Sequence, residues 1–258
     1  MSRPLEGKTI VVTRPLHQAE ALTAPLHELG AVVELIPALE IQPCVDGALR
    51  KAVARLEEFD WLVVTSVNGV AALDEEARRQ GKRLDESTLK VAAVGSGTGE
   101  AMTAAGARAQ HIPVDFTSKD LAERIAQHVP NCRVLLVQGT AAPSALADAL
   151  TAAGARVQRV DAYRSVIPTA FTRQVETFFR GRNKADAVTF TSGQIAQNFF
   201  AALRASSITL PEGMVVASVG PVTTEALRKL GHPPVVEAKS ARMEDFAAAL
   251  GEFFRSRD

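Results

Sequence analysis

One unit occurs twice in this chain, and that duplication limits the possible folds more than any other feature. Residues 59–106 lie against 185–231 at an offset of 125 or 126. Asp60-Trp61-Leu62-Val63-Val64-Thr65-Ser66 falls on Asp186-Ala187-Val188-Thr189-Phe190-Thr191-Ser192, and Val91-Ala92-Ala93-Val94-Gly95 falls on Val216-Ala217-Ser218-Val219-Gly220. Ala105-Gly106 falls on Leu230-Gly231. The same offset carries Ile10-Val11-Val12-Thr13 onto Leu135-Leu136-Val137-Gln138, and within one residue it carries Gly30 onto Gly154. Each copy alternates an apolar run, a small hydroxyl or glycine turn and a helix-like segment. Strands that alternate with helices build parallel sheets covered on both faces. The duplication therefore predicts two α/β halves rather than one continuous sheet.

The length of 258 residues allows each half its own core. In order, the spacing predicts helices over Leu16–Leu29, Gly47–Phe59, Asn68–Gln80, Thr98–Ala105, Lys119–Val129, Ser144–Ala153, Phe171–Gly181, Gln194–Leu203, Thr223–Leu230 and Met243–Phe254. Strands are expected at Lys8–Thr13, Val32–Ile36, Trp61–Val64, Lys90–Val94, Ala109–Ile112, Arg133–Val137, Val157–Ala162, Ala187–Phe190, Met214–Ser218 and Pro234–Glu237. The proline-bearing stretches Pro37–Asp46 and Tyr163–Ala170 occupy matching places and read as linkers. They allow one domain to be continuous and the other to be assembled from both chain ends, or two consecutive domains.

Composition narrows the partners. Lys plus Arg equals Asp plus Glu at 29 each, so no basic excess awaits a nucleic acid. Aromatic residues at 5% offer little base stacking. Cys44 and Cys132 have neither disulfide-framework nor zinc spacing, and the five histidines form no metal-ligand pattern. Residues 1–7 lack the apolar core of a signal, and no apolar run approaches the roughly 20 residues of a membrane span. The expectation is a cytoplasmic protein with no metal, membrane or nucleic-acid partner.

In parallel α/β sheets ligands bind at the carboxyl ends of strands. Thr13, Thr65, Gly95, Gln138, Thr191 and Gly220 fall there. Thr65-Ser66 and Thr191-Ser192 each precede a helix, where a hydroxyl caps the first turn. Four such turns also offer hydroxyls and free N–H groups suited to several carboxylates. Arg14 directly follows the first strand and either meets an anionic ligand or forms an exposed ion pair. Gly95-Ser96-Gly97-Thr98-Gly99 invites a dinucleotide reading, with Asp115 as its acid. Its repeat partner Gly220-Pro221-Val222-Thr223 keeps only the first glycine and the threonine, which argues against a pyrophosphate cradle. No Gly-x-Ser-x-Gly elbow or cysteine–histidine pair is present. Tyr163, the only tyrosine, stands at the end of a strand, either as hinge packing or as a functional phenol.

Taken together, Val12-Thr13-Arg14-Pro15, Leu29-Gly30-Ala31, Thr65-Ser66-Val67-Asn68-Gly69-Val70, Ala93-Val94-Gly95 with Thr98, Tyr163, Thr191-Ser192 and Val219-Gly220-Pro221-Val222-Thr223 resemble the uroporphyrinogen-III synthase family over nearly the whole chain. The resemblance implies two parallel-sheet α/β domains joined by a two-stranded linker, with the active site in the cleft between them. The first domain would comprise residues 1–37 plus 171–258 and the second 44–163, with linkers at 38–43 and 164–170. It implies a cyclising hydro-lyase that needs no cofactor. Linear hydroxymethylbilane, a tetrapyrrole with eight carboxylates, loses its hydroxyl and closes with ring D inverted, through a spiro intermediate, to uroporphyrinogen III. The product serves heme, siroheme and cobalamin biosynthesis. A monomer in transient contact with hydroxymethylbilane synthase is also implied.

Loss of the hydroxyl leaves a pyrrole-stabilised cation, so catalysis would rest chiefly on orientation. Tyr163 matches the family tyrosine proposed to assist that departure. The substrate-binding candidates are Arg14, Thr65, Ser66, Gly95, Thr98, Gly139, Thr191, Ser192, Gly220 and Thr223. The chain departs from the family pattern at Gly193-Gln194 and at Arg164-Ser165. Two other classes remain open on the residues alone: a two-domain protein that closes on a small anion, and a nucleotide-dependent enzyme using Gly95–Gly99.

Overall fold

A computed structural model describes residues 3–85, 88–112, 118–181 and 184–257. The elements run β1 (Thr9–Val12), α1 (Leu16–Glu28), β2 (Val32–Leu35), β3 (Glu40–Pro43), α2 (Ala48–Ala54), β4 (Trp61–Val64), α3 (Val67–Arg79), β5 (Lys90–Ala93) and α4 (Ser96–Ala104). There follow α5 (Ser118–Ile125), β6 (Arg133–Gly139), α6 (Ala145–Ala152), β7 (Arg156–Val166), α7 (Phe171–Arg180) and β8 (Ala187–Phe190). The chain closes with α8 (Gly193–Ala205), β9 (Val215–Ser218), α9 (Pro221–Lys229), β10 (Val236–Glu237) and α10 (Met243–Arg255). Two compact units result, Met1–Glu40 with Val166–Asp258, and Ile41–Ser165.

Each unit holds one five-stranded sheet among the described residues. The first has the order β10-β9-β8-β1-β2 and the second β3-β7-β6-β4-β5. The ladders β1–β2, β1–β8, β8–β9 and β9–β10 are parallel, as are β4–β5, β4–β6 and β6–β7. The duplication now has a topological form. In the first sheet the opening β1-α1-β2 of one copy lies beside the closing β8 and β9 of the other. In the second sheet β6-α6-β7 lies beside β4 and β5. The two copies have therefore exchanged their opening halves.

Sheet burial on both faces explains the continuous apolar runs. Trp61–Val64 and Ala187–Phe190 are buried at every position. Alternation divides each run between two cores. Leu62, Val64, Leu135 and Val137 pack with residues of α3 and α4, whereas Trp61, Val63, Val134 and Leu136 pack with residues of α5 and α6. In the first unit Val11, Val188 and Phe190 meet residues of α7 and α8, and Ile10, Val12 and Ala187 meet residues of α1 and α10. Helix ends repeat as well. Gly106 and Gly231, paired in the duplication, have φ of 95° and 82°. The following N–H of Ala107 and of His232 returns to the last turn of its helix, reaching Met102 and Leu227.

Local expectations shift in four places. The helix expected over Gly47–Phe59 ends at Ala54 and continues as a 3₁₀ turn, Leu56–Glu58. The helix over Lys119–Val129 likewise ends at Ile125, before a 3₁₀ turn at Ala126–His128. The strand expected at Ala109–Ile112 is a single bridge from His111 to Ala92. The stretches read as linkers contain strand: β3 lies in the first, and β7 runs through Tyr163 into the second. β3 and β7 are neighbours in one sheet, and the N–H of Cys44 donates to Ala162 at 3.1 Å. The polar, proline-ended residues of β3 suit an edge strand, which has no apolar run to betray it.

Candidate active site

Because every paired strand of a parallel sheet points the same way, the turns after the strands gather at one edge. In the second unit Val64 is in register with Ala93 and with Val137, and Gly139 with Tyr163. The turns Thr65-Ser66 and Val94-Gly95 therefore lie at the same edge as Gly139 and Tyr163. Ser66 is the N-cap of α3, with its Oγ accepting from the Gly69 N–H at 3.1 Å. The same Oγ lies 2.8 Å from the Tyr163 hydroxyl. Gly139 passes under the tyrosine. A Cβ there would stand 2.8 Å from Cζ and 3.1 Å from the hydroxyl oxygen. The Thr140 N–H donates to the Tyr163 carbonyl at 2.9 Å, which fixes the backbone below the ring.

The first unit repeats the cap. Ser192 precedes α8 with φ −160° and ψ 158°, against −160° and 156° at Ser66, and its Oγ accepts from Ile195 at 3.2 Å. α9 starts one strand over, after Gly220. The two helix starts converge on a cavity of about 350 Å³, lined by Thr191, Ser192, Gly193, Gly220–Thr223 and the Lys239–Ala241 loop. Helix N-termini supply free N–H groups and partial positive charge, which suits a carboxylate. Lys239, nine-tenths exposed and 4.0 Å from Glu252, adds a cation.

At the neighbouring end of β1, Thr13 and Thr189 clasp the strands. Thr13 Oγ1 donates to the Thr189 carbonyl at 2.5 Å, and Thr189 Oγ1 donates to Val11 at 3.1 Å. The clasp places Arg14, whose Nε and Nη1 are buried without a hydrogen-bond partner among the described residues. Burial pushes its guanidinium below the ordinary arginine range.

The family model described as uroporphyrinogen-III synthase HemD matches residues 20–248. The chain belongs to the uroporphyrinogen-III synthase family. Its relatives include the uroporphyrinogen-III synthase of Synechococcus elongatus, 31% identical over 260 residues with 98% of each chain covered. A mutant uroporphyrinogen III synthase from Thermus thermophilus superposes with a TM-score of 0.67 at 25% identity, over 97% of this chain and 99% of that one. The Helicobacter pylori synthetase shares the fold, with a TM-score of 0.58 at 16% identity, 97% of this chain and 100% of that one.

Within this member of the synthase family, the candidates from the sequence other than Arg14, which stands at the end of β1, fall into three groups. Tyr163 meets Ser66 on one side and lies over Gly139 on the other. Thr191, Ser192, Gly220 and Thr223 line one cavity. Thr65, Gly95 and Thr98 stand at the ends of β4 and β5 or in the first turn of α4, without joining the tyrosine cluster. Thr98 is buried and Gly95 has φ 88°. Gly99 packs against Ile112, whose Cδ1 a Cβ there would strike, so packing accounts for that glycine. Asp115 lies outside the described residues. Sequence reasoning missed Lys239 and Ser240, because a loop after a two-residue strand carries no periodic signal. The Cys44 thiol is pushed up by burial and by Asp46 and Asp161, which leaves it a poor nucleophile. Among the described residues no helix is long and apolar enough to cross a membrane.

Proposed function

We propose that this chain is a cyclising hydro-lyase that converts hydroxymethylbilane to uroporphyrinogen III with inversion of ring D. The observation that carries the reading is the family match over nearly the whole chain. The strand-end turns give it a chemical basis. The substrate brings eight carboxylates, and the chain offers capped helix starts, the Gly220–Thr223 turn and the unpaired guanidinium of Arg14. These groups bind and orient. They hold the flexible tetrapyrrole so that ring D attacks through its substituted carbon. Tyr163 gives its phenolic proton to the departing hydroxyl, the C–O bond breaks with its electron pair on oxygen, and water leaves. The proton lost when the closed macrocycle regains its pyrroles restores the phenol through solvent. We further propose that the enzyme works as a monomer in the cytoplasm and meets hydroxymethylbilane synthase transiently.

The test is an isomer assay. Hydroxymethylbilane is generated in situ, the protein is added, and the type I and type III uroporphyrins are separated after oxidation. Type III is the expected product. Type I alone, at the spontaneous rate, overturns the reading in favour of a binding protein. Tyr163→Phe is expected to lower kcat about 10–100-fold, the range of one modest acid contribution, with an unchanged unfolding midpoint. Full activity in that variant removes the phenol from the reaction.

A further inference from the structure

We propose that Ser66 is a positioning residue for Tyr163: it orients the phenol and passes the N-terminal field of α3 to it. The proposal rests on the reading of Tyr163 given above. Ser66 Oγ already accepts the Gly69 N–H as the cap of a 13-residue helix. One lone pair is thereby used, and the hydroxyl hydrogen stays available. The Tyr163 oxygen lies 2.8 Å away. If the tyrosine donated to Ser66, its proton would be spent inside the protein. If Ser66 donates, the chain runs Gly69 N–H to Ser66 O–H to Tyr163 O–H, and the phenolic proton points outward as the last donor. That direction is the cooperative one, since each donor is polarised by the one before it. It begins at a helix N-terminus, where partial positive charge is fixed. When the phenol gives up its proton, the Ser66 hydrogen bond lands on an anionic oxygen and strengthens.

The duplication supplies an internal comparison. Ser192 caps α8 with the same torsions and the same bond to the third following N–H. The tyrosine has no counterpart there: at the offset that carries Gly30 onto Gly154 its repeat position is Leu39, which has no hydroxyl. Capping is thus common to both copies, and the phenol contact belongs to Ser66 alone. Gly139 completes the seat, because any side chain there would drive the ring off Ser66.

The experiment uses Ser66→Gly, since glycine caps a helix almost as well as serine but has no hydroxyl. Its kcat for type III formation is expected to fall about tenfold with KM within about twofold, as for loss of a group acting through the acid. Ser66→Thr restores the hydroxyl and most of the rate. In a Tyr163→Phe background, Ser66→Gly is expected to cost nothing more, which marks the two residues as one device. A spectroscopic readout separates this from a structural effect. Tyr163 is the only tyrosine, so ¹³Cζ-labelled tyrosine gives one resonance. That resonance moves in Ser66→Gly and Gly139→Ala and returns in Ser66→Thr. An unmoved resonance, or an equal loss of rate with and without the phenol, overturns the proposal. Wild-type protein yielding only type I product would instead sink the synthase reading itself.

Discussion

Among the described residues, Arg14 has the most buried side-chain nitrogens left without a partner. Two buried guanidinium nitrogens without a partner among the described residues cost about 1–3 kcal/mol each. A chain keeps such a residue where an anion completes it. Arg14→Met should therefore bind substrate more weakly and yet unfold no more easily. The expected KM rises about 10–100-fold, the worth of one charge-assisted hydrogen bond, while the urea midpoint holds or rises. A clearly less stable Arg14→Met with an unchanged KM would show that the guanidinium serves the fold. Sequence placed Arg14 at a strand end but left an exposed ion pair equally open, because burial is a tertiary property. The same limit applies to Tyr163. Its singularity and its position were legible. Its partner Ser66 lies 97 residues earlier, and only the parallel register brings them together.

Among the elements, the α8–α9 pair shapes the first unit's cavity. Gly193 opens α8, and a Cβ there would stand 2.8 Å from the Ala226 Cβ of α9. Neither atom can swing aside, since each is fixed to backbone. Gly193→Ala is expected to push the helices apart and to cost about 1–3 kcal/mol, read from urea denaturation. Gly97, in the first turn of α4, has open space around it. Gly97→Ala is expected to stabilise by about 0.5–1 kcal/mol, because alanine has less chain entropy to lose. Equal effects from the two substitutions would refute the packing argument. In the sequence Gly193 was visible only as a departure from the family pattern, and its reason is a neighbour 33 residues away. Helices with strong periodicity and glycine stops, such as α1 and α9, were legible. β3 was not, since an exposed edge strand needs no apolar alternation.

At the scale of the whole molecule, the exchange of opening halves makes one unit continuous in sequence and the other not. The single Trp61 and the single Tyr163 both lie within Ile41–Ser165. Tryptophan fluorescence therefore reports the second unit alone, while far-UV circular dichroism reports both. Each unit has its own two-sided core, so the two are expected to unfold in separate steps, giving non-coincident urea curves by these probes. The fragment 41–165 should retain the fluorescence transition of the full chain. Its ends meet in one sheet, where Arg164 Nε donates to Gln42 at 3.2 Å. Coincident curves, or a fragment without a cooperative transition, would mean that the units fold only together. Acid supplies an independent handle. The His111 ring lies 5.2 Å from Trp61, and it is held below the ordinary histidine range by burial first, then by His128, Arg124 and Lys90. His232, stacked on Phe200 in the first unit, is lowered by burial and by Arg204. A histidine lowered on folding binds more protons when unfolded, so its contribution is complete above about pH 6.5 and fades as pH falls towards the folded value. Both transitions should therefore weaken as pH falls below about 6.5. His111→Gln should flatten that dependence in the fluorescence transition and leave the transition of the first unit sensitive to acid. A loss of acid sensitivity in both would show that the two units share one stability, and that the exchanged halves bind them into a single folding unit.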